Sequence, residues 1–327
     1  MMIWLKWAVL ALAGVAVLAG AGVAAAIAFG TAAAPRAMAS VSGPMGRVDY
    51  SDMPKPQHFK ARDGTMLSYR LYPHDGGRVV VLIHGSSGES SAMHAVARAL
   101  AGVGFAVYVP DLRGHAEDGR LGDIDYPGQL DDDLVDLMLV VGRDHPQADV
   151  ALVGHSSGGG FVLRIAEGPD SALFARYVLL APALHYGAST WRPGAGGWAV
   201  PFVPRLIGLN ILDRLGVTWF QHLPVVAFAV DPSVPVRLAP TYSYVMQRNF
   251  SAPHDDLARF GQVRQPVALL VGAQDEIFYA DRFVPLLGPL RPTTTFQVVP
   301  GVDHMGLITQ PEAITAIVAT LQSTPAS

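Results

Sequence analysis

The sequence contains no cysteine. Without thiols the chain can form no disulfide bond, no cysteine nucleophile and no thiolate metal site, although this absence indicates no particular cellular compartment. Charge is also scarce, because Asp, Glu, Lys and Arg make up 15% of the 327 residues and leave a net charge of -4. The lysines and arginines are scattered rather than grouped in a stripe, so we expect no nucleic-acid partner.

A long hydrophobic run lies near the start of the chain. Residues 8–29 are uncharged and consist mainly of Ala, Val, Leu and Gly, about the length that a membrane-spanning helix needs. Lys6 before the run and Arg36 after it favour a cytoplasmic N-terminus only slightly. A secretory signal peptide is the alternative, with small residues for cleavage at 32–34 or 37–39. The run is longer than the roughly 7 to 15 residues of a usual signal core.

We therefore expect residues 1–30 to be a retained membrane anchor that places the rest of the chain outside the cytoplasm. Cleavage would instead release a secreted or periplasmic protein. Residues 31–56 are rich in Ala, Ser, Gly and Pro, which predicts a flexible linker. A single folded domain is expected from residue 57 to residue 325.

Continuous apolar runs recur along this domain, separated by helical patterns. Such runs are typical of parallel strands that helices cover on both faces. They lie at residues 78–83, 105–109, 150–153, 177–181, 266–271 and 294–299. Two extended segments precede them, at 57–61 and 66–72, and are predicted to form an antiparallel hairpin around Asp63 and Gly64. The alternation predicts an α/β fold with a mainly parallel central sheet flanked by helices.

Helical periodicity accompanies these strands except in one long stretch. Helices are predicted at residues 90–101, 129–141, 161–166, 283–290 and 312–321. The alternation stops between residues 184 and 250, where Trp, Phe and Tyr are mixed with prolines and glycines. We interpret this stretch as an insertion into the domain.

The strand predicted at 150–153 leads into Gly154-His155-Ser156-Ser157-Gly158, which matches the pattern G-x-S-x-G. A nucleophile that is lifted from the end of a strand directly into a helix needs a strained turn with almost no side chains around it, and glycine at 154 and 158 meets that need. The strand before the motif and the helix after it make the match more specific than the five letters alone.

A serine nucleophile needs a base within hydrogen-bond reach, and the base needs a carboxylate that orients it. Asp275 and His304 each follow a predicted strand. Loops at the carboxyl ends of parallel strands gather at one edge of the sheet, and the order Ser, Asp, His fits this elbow. Glu276 and Asp281 are alternative orienting acids, but Asp275 follows its strand most closely. The predicted catalytic residues are Ser156, Asp275 and His304.

Together these motifs resemble those of the α/β-hydrolases, from residue 57 to the C-terminus. The matching motifs are His84-Gly85, Asp111-Leu-Arg-Gly-His115, Gly154 to Gly158, Gly272-Ala-Gln-Asp275 and Asp303-His304. The resemblance implies the α/β-hydrolase fold, with residues 184–250 in the place of a helical lid. It also implies that Asp111, Arg113 and His115 belong to a loop that braces the fold.

The resemblance further implies a role for each site residue. Ser156 corresponds to the nucleophile, His304 to the general base and acid, and Asp275 to the carboxylate that orients His304. The backbone N–H groups of Ser86 and Ser157 correspond to the oxyanion hole. Both roles belong to the backbone. Substitution of the Ser86 or Ser157 side chain is therefore expected to lower activity less than substitution of a catalytic side chain.

Three consecutive acidic residues, Asp131, Asp132 and Asp133, could be taken for a metal site. They stand near the start of a predicted helix, where the helix dipole favours Asp, so we interpret them as structural. His84 and His155 lie beside glycine turns and are expected to form hydrogen bonds within the scaffold. The other histidines show no ligand spacing. We expect no metal and no cofactor.

The insertion's aromatic and aliphatic residues, on a domain tethered to a membrane, favour an ester with an apolar acyl chain. We therefore expect a serine esterase or lipase of the monoacylglycerol lipase and lysophospholipase type, acting on small-molecule ester or lipid substrates through an acyl-enzyme. The same Trp and Phe could instead pack the insertion onto the core.

Several other functions remain open, because a fold does not settle the chemistry. The elbow also resembles those of cofactor-free perhydrolases and haloperoxidases, and peptidase or carbon–carbon hydrolase activity is a further alternative. Ser156 at the elbow disfavours a dehalogenase or epoxide hydrolase, which would carry an Asp nucleophile. A non-catalytic, membrane-tethered binding protein is the alternative outside the enzymes, although all three triad residue types are present.

Overall fold

The computed structural model describes residues 2–115, 120–233, 238–252 and 259–323. Three sequence predictions fall partly outside these residues, and the first is the expected anchor, which begins at residue 1. The expected domain spans residues 57–325, of which residues 116–119, 234–237, 253–258, 324 and 325 lie outside the described part. The expected lid spans 184–250, of which residues 234–237 lie outside the described part.

The strands and helices alternate along the chain in the described ranges. The strands are β1 Gln57–Lys60, β2 Met66–Tyr72, β3 Arg78–Ile83, β4 Ala106–Pro110, β5 Asp149–His155, β6 Arg176–Leu180, β7 Ala199–Pro201, β8 Pro224–Phe228, β9 Thr241–Ser243, β10 Val267–Gly272 and β11 Thr295–Val299. The α-helices are α1 Met2–Phe29, α2 Ala39–Met45, α3 His94–Gly102, α4 Gln129–Asp144, α5 Ser157–Ala166, α6 Val203–Arg214, α7 Tyr244–Asn249, α8 Phe283–Leu287, α9 Gly306–Thr309 and α10 Pro311–Ser323.

The main sheet has eight strands in the described residues, in the order β1-β2-β4-β3-β5-β6-β10-β11. Strand β2 runs antiparallel to β1 and β4, and the other neighbouring pairs are parallel. Strands β4, β6 and β10 are buried along their whole length, as expected for strands with both faces covered. The mainly parallel sheet and the initial hairpin agree with the prediction from the sequence.

The helices bury one apolar face each against this sheet or against one another. In α4 the buried leucine and valine positions, Leu130, Leu134, Leu137 and Val141, have the helical spacing noted in the sequence. Helix α5 packs on β5 and β6, and α3 packs on β4 and on α10. Two predicted helices differ in extent: the first turn of the helix predicted at 90–101 is a 3₁₀ helix at Ser90–Met93, and α8 ends at Leu287 rather than at residue 290.

The insertion enters between β6 and β10, the sixth and seventh strands of the main sheet. The resemblance implied a helical insertion, but the insertion also contains strands. Besides α6 and α7 it contains a three-stranded antiparallel sheet in the order β7-β8-β9. Two of these strands are three residues long, too short to show a period of two in the sequence.

The segment predicted to be a flexible linker contains a helix and contacts the domain. Helix α2 lies within residues 31–56, and the side chains of Met38 and Val41 pack against the domain core. The composition did not indicate this order, because the stabilising contacts come from distant parts of the chain.

Helix α1 is long and apolar enough to cross a membrane. Its segment Trp4–Phe29 has a mean hydropathy of 2.3, a property that a secretory signal sequence can share. Most of this helix is exposed, whereas Ile27 near its end is buried in a small cluster with Leu209, Val225 and Tyr244. The end of α1 therefore contacts the insertion.

Candidate active site

The turn between β5 and α5 holds Ser156 in a strained conformation. Its φ is 55° and its ψ is -120°, a region that non-glycine residues rarely adopt. Strand β5 ends one residue before Ser156 and α5 begins one residue after it. Such strain persists only where the surrounding structure imposes it, and it is typical of functional turns.

Gly154 and Gly158, on either side of Ser156, permit this turn because they have no side chains. The backbone can therefore pass close to itself at Gly154, at Gly158 and at His84. A Cβ atom on Gly154 would lie 2.2 Å from the carbonyl oxygen of Gly158. A Cβ atom on Gly158 would lie 2.3 Å from the carbonyl oxygen of His84. Real side chains do not approach so closely, so both positions require glycine for a steric reason.

His304 and Asp275 form a buried pair at the carboxyl ends of two adjacent parallel strands. His304 lies in the loop after β11, and its Nδ1 donates to Asp275 Oδ2 at 2.8 Å. The other carboxylate oxygen of Asp275 accepts the backbone N–H groups of Ile277 at 2.9 Å and Phe278 at 2.7 Å. These bonds hold the carboxylate in place and fix the proton on Nδ1, so Nε2 carries the lone pair of the neutral ring.

The electrostatics of this pair favour the charged imidazolium–carboxylate state. Burial alone lowers the pKa of His304, but the charge of Asp275 and its hydrogen bond outweigh burial, so the pKa lies above the usual value. Burial alone raises the pKa of Asp275, but His304 and the backbone N–H donors outweigh it, so this pKa lies below its usual value. His155, packed against the His304 ring, is different: burial lowers its pKa to about 3.

The three acids considered as partners for His304 occupy different positions. Asp275 is hydrogen-bonded to the ring, whereas Glu276 accepts the backbone N–H of His304 at 3.0 Å. Asp281 is exposed in a 3₁₀ helix. His155 Nε2 donates to the His304 carbonyl oxygen at 3.2 Å. The backbone of His304 is therefore held from two sides while Asp275 orients its ring.

The loop after β3 is fixed by the insertion. Trp198 Nε1 donates to Ser86 Oγ at 3.0 Å, so the Ser86 side chain has a structural partner that the sequence did not indicate. The next residue, Ser87, has a φ of 66°, and its backbone N–H donates to Tyr242 Oη at 2.6 Å. The Tyr242 hydroxyl in turn donates to His115 Nε2, whose pKa burial lowers well below its usual value.

One apolar cavity of about 450 Å³ joins these groups. Of the predicted site residues, Ser86, Ser156 and His304 line its wall. Asp275 lies behind His304, fully buried. Ser157 is the first residue of α5, where helix geometry leaves the N–H without an intrahelical acceptor. The structure thus brings the predicted site residues into one region.

The sequence did not reveal most of the apolar lining of this cavity. Met38, Val41, Met45, Val48 and Met53 line it, although they belong to the segment predicted to be a linker. Among the described aromatic residues noted in the insertion, Trp198 alone lines the cavity. Phe228 and Tyr242 are buried in the core cluster, with ring centroids 4.6 Å apart. These insertion aromatics therefore pack onto the core.

Each residue of the acidic triplet has a different arginine partner. Asp131 pairs with Arg164 at 2.5 Å, Asp132 with Arg62 at 2.5 Å and Asp133 with Arg113 at 2.8 Å. Asp111, in the loop expected to brace the fold, accepts the Ser90 backbone N–H at 2.7 Å and the Ser68 hydroxyl at 2.8 Å. These bonds connect loops and helices around the sheet to one another and, through Ser68, to strand β2.

Residues 75–309 match the sequence profile of a hydrolase family described as serine aminopeptidase, S33. The match covers more than half of the chain and contains the elbow, the Asp275–His304 pair and the insertion. The chain belongs to this hydrolase family. The predicted α/β-hydrolase fold class is thereby confirmed.

Individual relatives of this hydrolase include lipases. A monoacylglycerol lipase of Mycolicibacterium smegmatis is 34% identical over 118 residues, which are 34% of this chain and 40% of the relative. The human monoglyceride lipase is 32% identical over 142 residues, 41% of this chain and 44% of the relative. The chain thus aligns with about two-fifths of the length of these curated relatives.

A solved structure extends the similarity in fold over most of the hydrolase. A soluble variant of monoglyceride lipase from Saccharomyces cerevisiae, bound to a substrate analogue, superposes with a TM-score of 0.64. The alignment covers 84% of this chain and 96% of the yeast chain at 16% sequence identity. At this identity the likeness demonstrates a shared fold and nothing about substrate.

Proposed function

We propose that this protein is a serine hydrolase that cleaves carboxylic esters with apolar acyl chains, such as monoacylglycerols and lysophospholipids. The observation that carries the proposal is the meeting of Ser156, in its strained elbow, and the His304–Asp275 pair at one apolar cavity. Nucleophile, base and orienting acid are the groups that acyl transfer from an ester requires.

In the proposed first step, Ser156 Oγ attacks the ester carbonyl carbon and His304 Nε2 takes the hydroxyl proton. The negative charge that develops on the carbonyl oxygen is stabilised by the backbone N–H groups of Ser86 and Ser157. Asp275 holds the His304 ring in the required tautomer and stabilises the imidazolium. When the tetrahedral intermediate collapses, His304 gives its proton to the departing alcohol, and the acyl group remains on Ser156.

In the second step, water replaces the alcohol. His304 Nε2 takes a proton from the water as its oxygen attacks the acyl carbon, and the same oxyanion donors stabilise the second intermediate. Its collapse breaks the bond to Ser156 Oγ, which regains the proton from His304. The products are a carboxylic acid and the free enzyme, so each turnover consumes one water molecule.

The substrate class is supported by the cavity and by the relatives. The lining is predominantly apolar and includes Met, Val and Ile side chains, and burial of each substrate methylene contributes about 0.8 kcal/mol. The two curated relatives are a monoacylglycerol lipase and a monoglyceride lipase. The sequence argument for a lipid-like acyl chain used the aromatic residues of the insertion. The structural argument uses instead the apolar residues outside the insertion that line the cavity.

Nitrophenyl esters of increasing acyl length test this proposal. We expect kcat/KM for the octanoyl ester to exceed that for the acetyl ester by at least about tenfold, because a longer chain buries more apolar surface. A preference for the acetyl ester in the folded protein would contradict a lipid-like substrate.

The pH dependence of kcat/KM is expected to report the titration of His304. Protonated His304 cannot accept the Ser156 proton, so activity is lost as the pH falls through the pKa of His304. Because Asp275 holds this pKa above its usual value, we expect the acid limb to have its midpoint above about 6.5. His155 stays neutral in this range. A midpoint at or below 6 in a stopped-flow or pH-stat profile would contradict the assignment.

A peptidase is the second candidate. The family description names a serine aminopeptidase, and the acidic residues Glu89 and Asp231 are among those that line the cavity, where a carboxylate could bind the ammonium group of a peptide. The predominance of apolar lining makes the ester the first candidate. Faster cleavage of an aminoacyl nitroanilide than of the octanoyl ester would reverse this order.

We also propose that α1 is a retained membrane anchor, that residues 184–250 act as a lid, and that the domain lies outside the cytoplasm. The packing of α1 on α6 supports retention. Arg205 Nε donates to the Ile27 carbonyl oxygen at 2.8 Å, and a Cβ atom on Gly208 would lie 2.7 Å from Ile27 Cγ1. Signal cleavage at 32–34 or 37–39 would remove these contacts.

The surface of the insertion next to α1 is also suited to a membrane interface. It exposes large apolar side chains on α6 and on the chain after it, and exposed apolar side chains of this kind can insert into the headgroup region of a bilayer. These side chains are Val203, Ile207, Ile211, Leu215, Trp219 and Phe220.

A further inference from the structure

Part of the cavity wall comes from a segment that precedes the hydrolase fold. Residues 38–53, which we call the juxtamembrane segment, comprise α2 and the chain that follows it, between α1 and β1. The apolar side chains of this segment that line the cavity are Met38, Val41, Met45, Val48 and Met53. They share the cavity with Ser156 and His304.

The juxtamembrane segment is held against the domain at both of its ends. At its start, the backbone N–H of Met38 donates to the carbonyl oxygen of Ala229, just after β8, at 3.2 Å. Towards its end, His94 Nε2 lies 3.0 Å from the carbonyl oxygen of Asp49 and 3.1 Å from Asp52 Oδ1. The segment is therefore attached both to the insertion and to α3.

Further contacts fix the middle and the end of the segment. The Tyr50 hydroxyl donates to the Met45 carbonyl oxygen at 3.2 Å, and the Tyr50 ring lies 5.6 Å from the His94 ring between centroids. Arg98 of α3 forms an ion pair with Asp52 at 3.2 Å. Because the backbone is held at several points, the cavity-lining side chains keep a defined position relative to Ser156.

The chemistry of these side chains suits a flexible acyl chain. Methionine is unbranched and polarisable, and it adapts to apolar ligands of varied shape. An acyl group attached to Ser156 must extend into the cavity, whose lining outside the catalytic groups is largely apolar. Side-chain volume in the juxtamembrane segment therefore limits the space for the distal carbons of that chain.

We propose that the juxtamembrane segment is the acyl-binding wall of the cavity and determines the length of acyl chain that the enzyme accepts. The inference rests on the proposed ester hydrolysis at Ser156. The same segment connects the membrane helix to the domain, so an enzyme lacking it loses part of its substrate site as well as its anchor.

Replacement of Met45 by tryptophan in the full-length protein tests this proposal. The larger side chain occupies part of the cavity, so we expect kcat/KM for the decanoyl nitrophenyl ester to fall at least about tenfold, with the acetyl ester within about twofold of wild type. Gly43→Trp is the matched control on the same helix, because no atom lies within 4 Å of a Cβ placed at Gly43. The control is expected to keep the wild-type ratio of decanoyl to acetyl hydrolysis.

An unchanged decanoyl-to-acetyl ratio in Met45→Trp overturns the proposal, and so does the same change of ratio in Gly43→Trp. If Met45→Trp is inactive on every ester, Met45→Ala decides the question. The smaller side chain is expected to move the preferred acyl length towards longer chains, and an unaltered preference overturns the proposal.

Binding of a fluorescent long-chain fatty acid separates this inference from the proposed activity. In the Ser156→Ala background, Met45→Trp is expected to weaken binding at least about tenfold, whereas Gly43→Trp leaves it unchanged. If Met45→Trp weakens fatty-acid binding but the wild-type protein hydrolyses no ester, the proposed function is refuted and the proposed acyl-binding wall is supported. Unchanged binding together with normal ester hydrolysis would refute the wall alone.

Discussion

Replacement of Ser156 by alanine is expected to lower kcat for ester hydrolysis by about 10⁶-fold. The variant retains the cavity and the His304–Asp275 pair but has no oxygen to form the acyl-enzyme. Alanine at this position inherits the same positive φ, so the backbone strain is common to both proteins and the melting temperature is expected to remain close to that of the wild type. Steady-state rates with the octanoyl ester measure the loss.

The control for Ser156→Ala is the same chemical change away from the cavity. Ser189 is exposed, and Ser189→Ala is expected to retain wild-type kcat and KM. Retention of more than about a hundredth of the wild-type rate by a purified Ser156→Ala protein would show that another group supplies the nucleophile.

Replacement of Asp275 by asparagine is expected to lower kcat by about 10⁴-fold, with a much smaller change in KM. An asparagine side chain can donate to His304 Nδ1, which then favours the tautomer with its proton on Nε2. In that tautomer the base cannot accept the Ser156 proton. The Asp275 charge that raises the pKa of His304 is also removed, so the acid limb of the residual activity is expected to move to lower pH.

Asp281→Asn is the matched control, because Asp281 is exposed and was one of the alternative orienting acids in the sequence. It is expected to leave kcat within about twofold of wild type, since exposed substitutions away from a site have small effects. A comparable loss in Asp281→Asn, or a rate above about a tenth of wild type in Asp275→Asn, would contradict the assigned role of Asp275.

The fold was largely predictable because its determinants are local. The buried strands β3, β4 and β10 are continuous apolar runs, and a continuous run identifies a strand covered on both faces without information from elsewhere in the chain. The elbow was predictable for a related reason, since the steric need for glycine at 154 and 158 is expressed within five residues. Asp275 and His304 could be selected because each follows its own strand.

The features that escaped prediction depend on contacts between distant residues. The hydrogen bonds from Trp198 to Ser86 and from Ser87 to Tyr242 join residues separated by 112 and 155 positions. The hydrophobic periodicity of the loop after β3 and of the insertion does not indicate that these residues are in contact.

The juxtamembrane segment shows the same effect more strongly. Its Ala, Ser, Gly and Pro content is typical of a linker, and this composition outweighed the helical spacing of Met38, Val41, Met45 and Val48, at i, i+3, i+7 and i+10. The order of this segment comes from the pairing of Asp49 and Asp52 with His94 and Arg98 in α3, which the sequence of the segment alone does not contain.

The central claim is that Ser156 is a nucleophile activated by His304. Labelling with a fluorophosphonate probe, followed by mass spectrometry of the proteolytic peptides, tests it most directly. We predict one adduct, on the peptide that contains Ser156, which is absent in Ser156→Ala and strongly reduced in His304→Ala. A folded wild-type protein without an adduct, or an adduct that persists on another residue in Ser156→Ala, would contradict the claim.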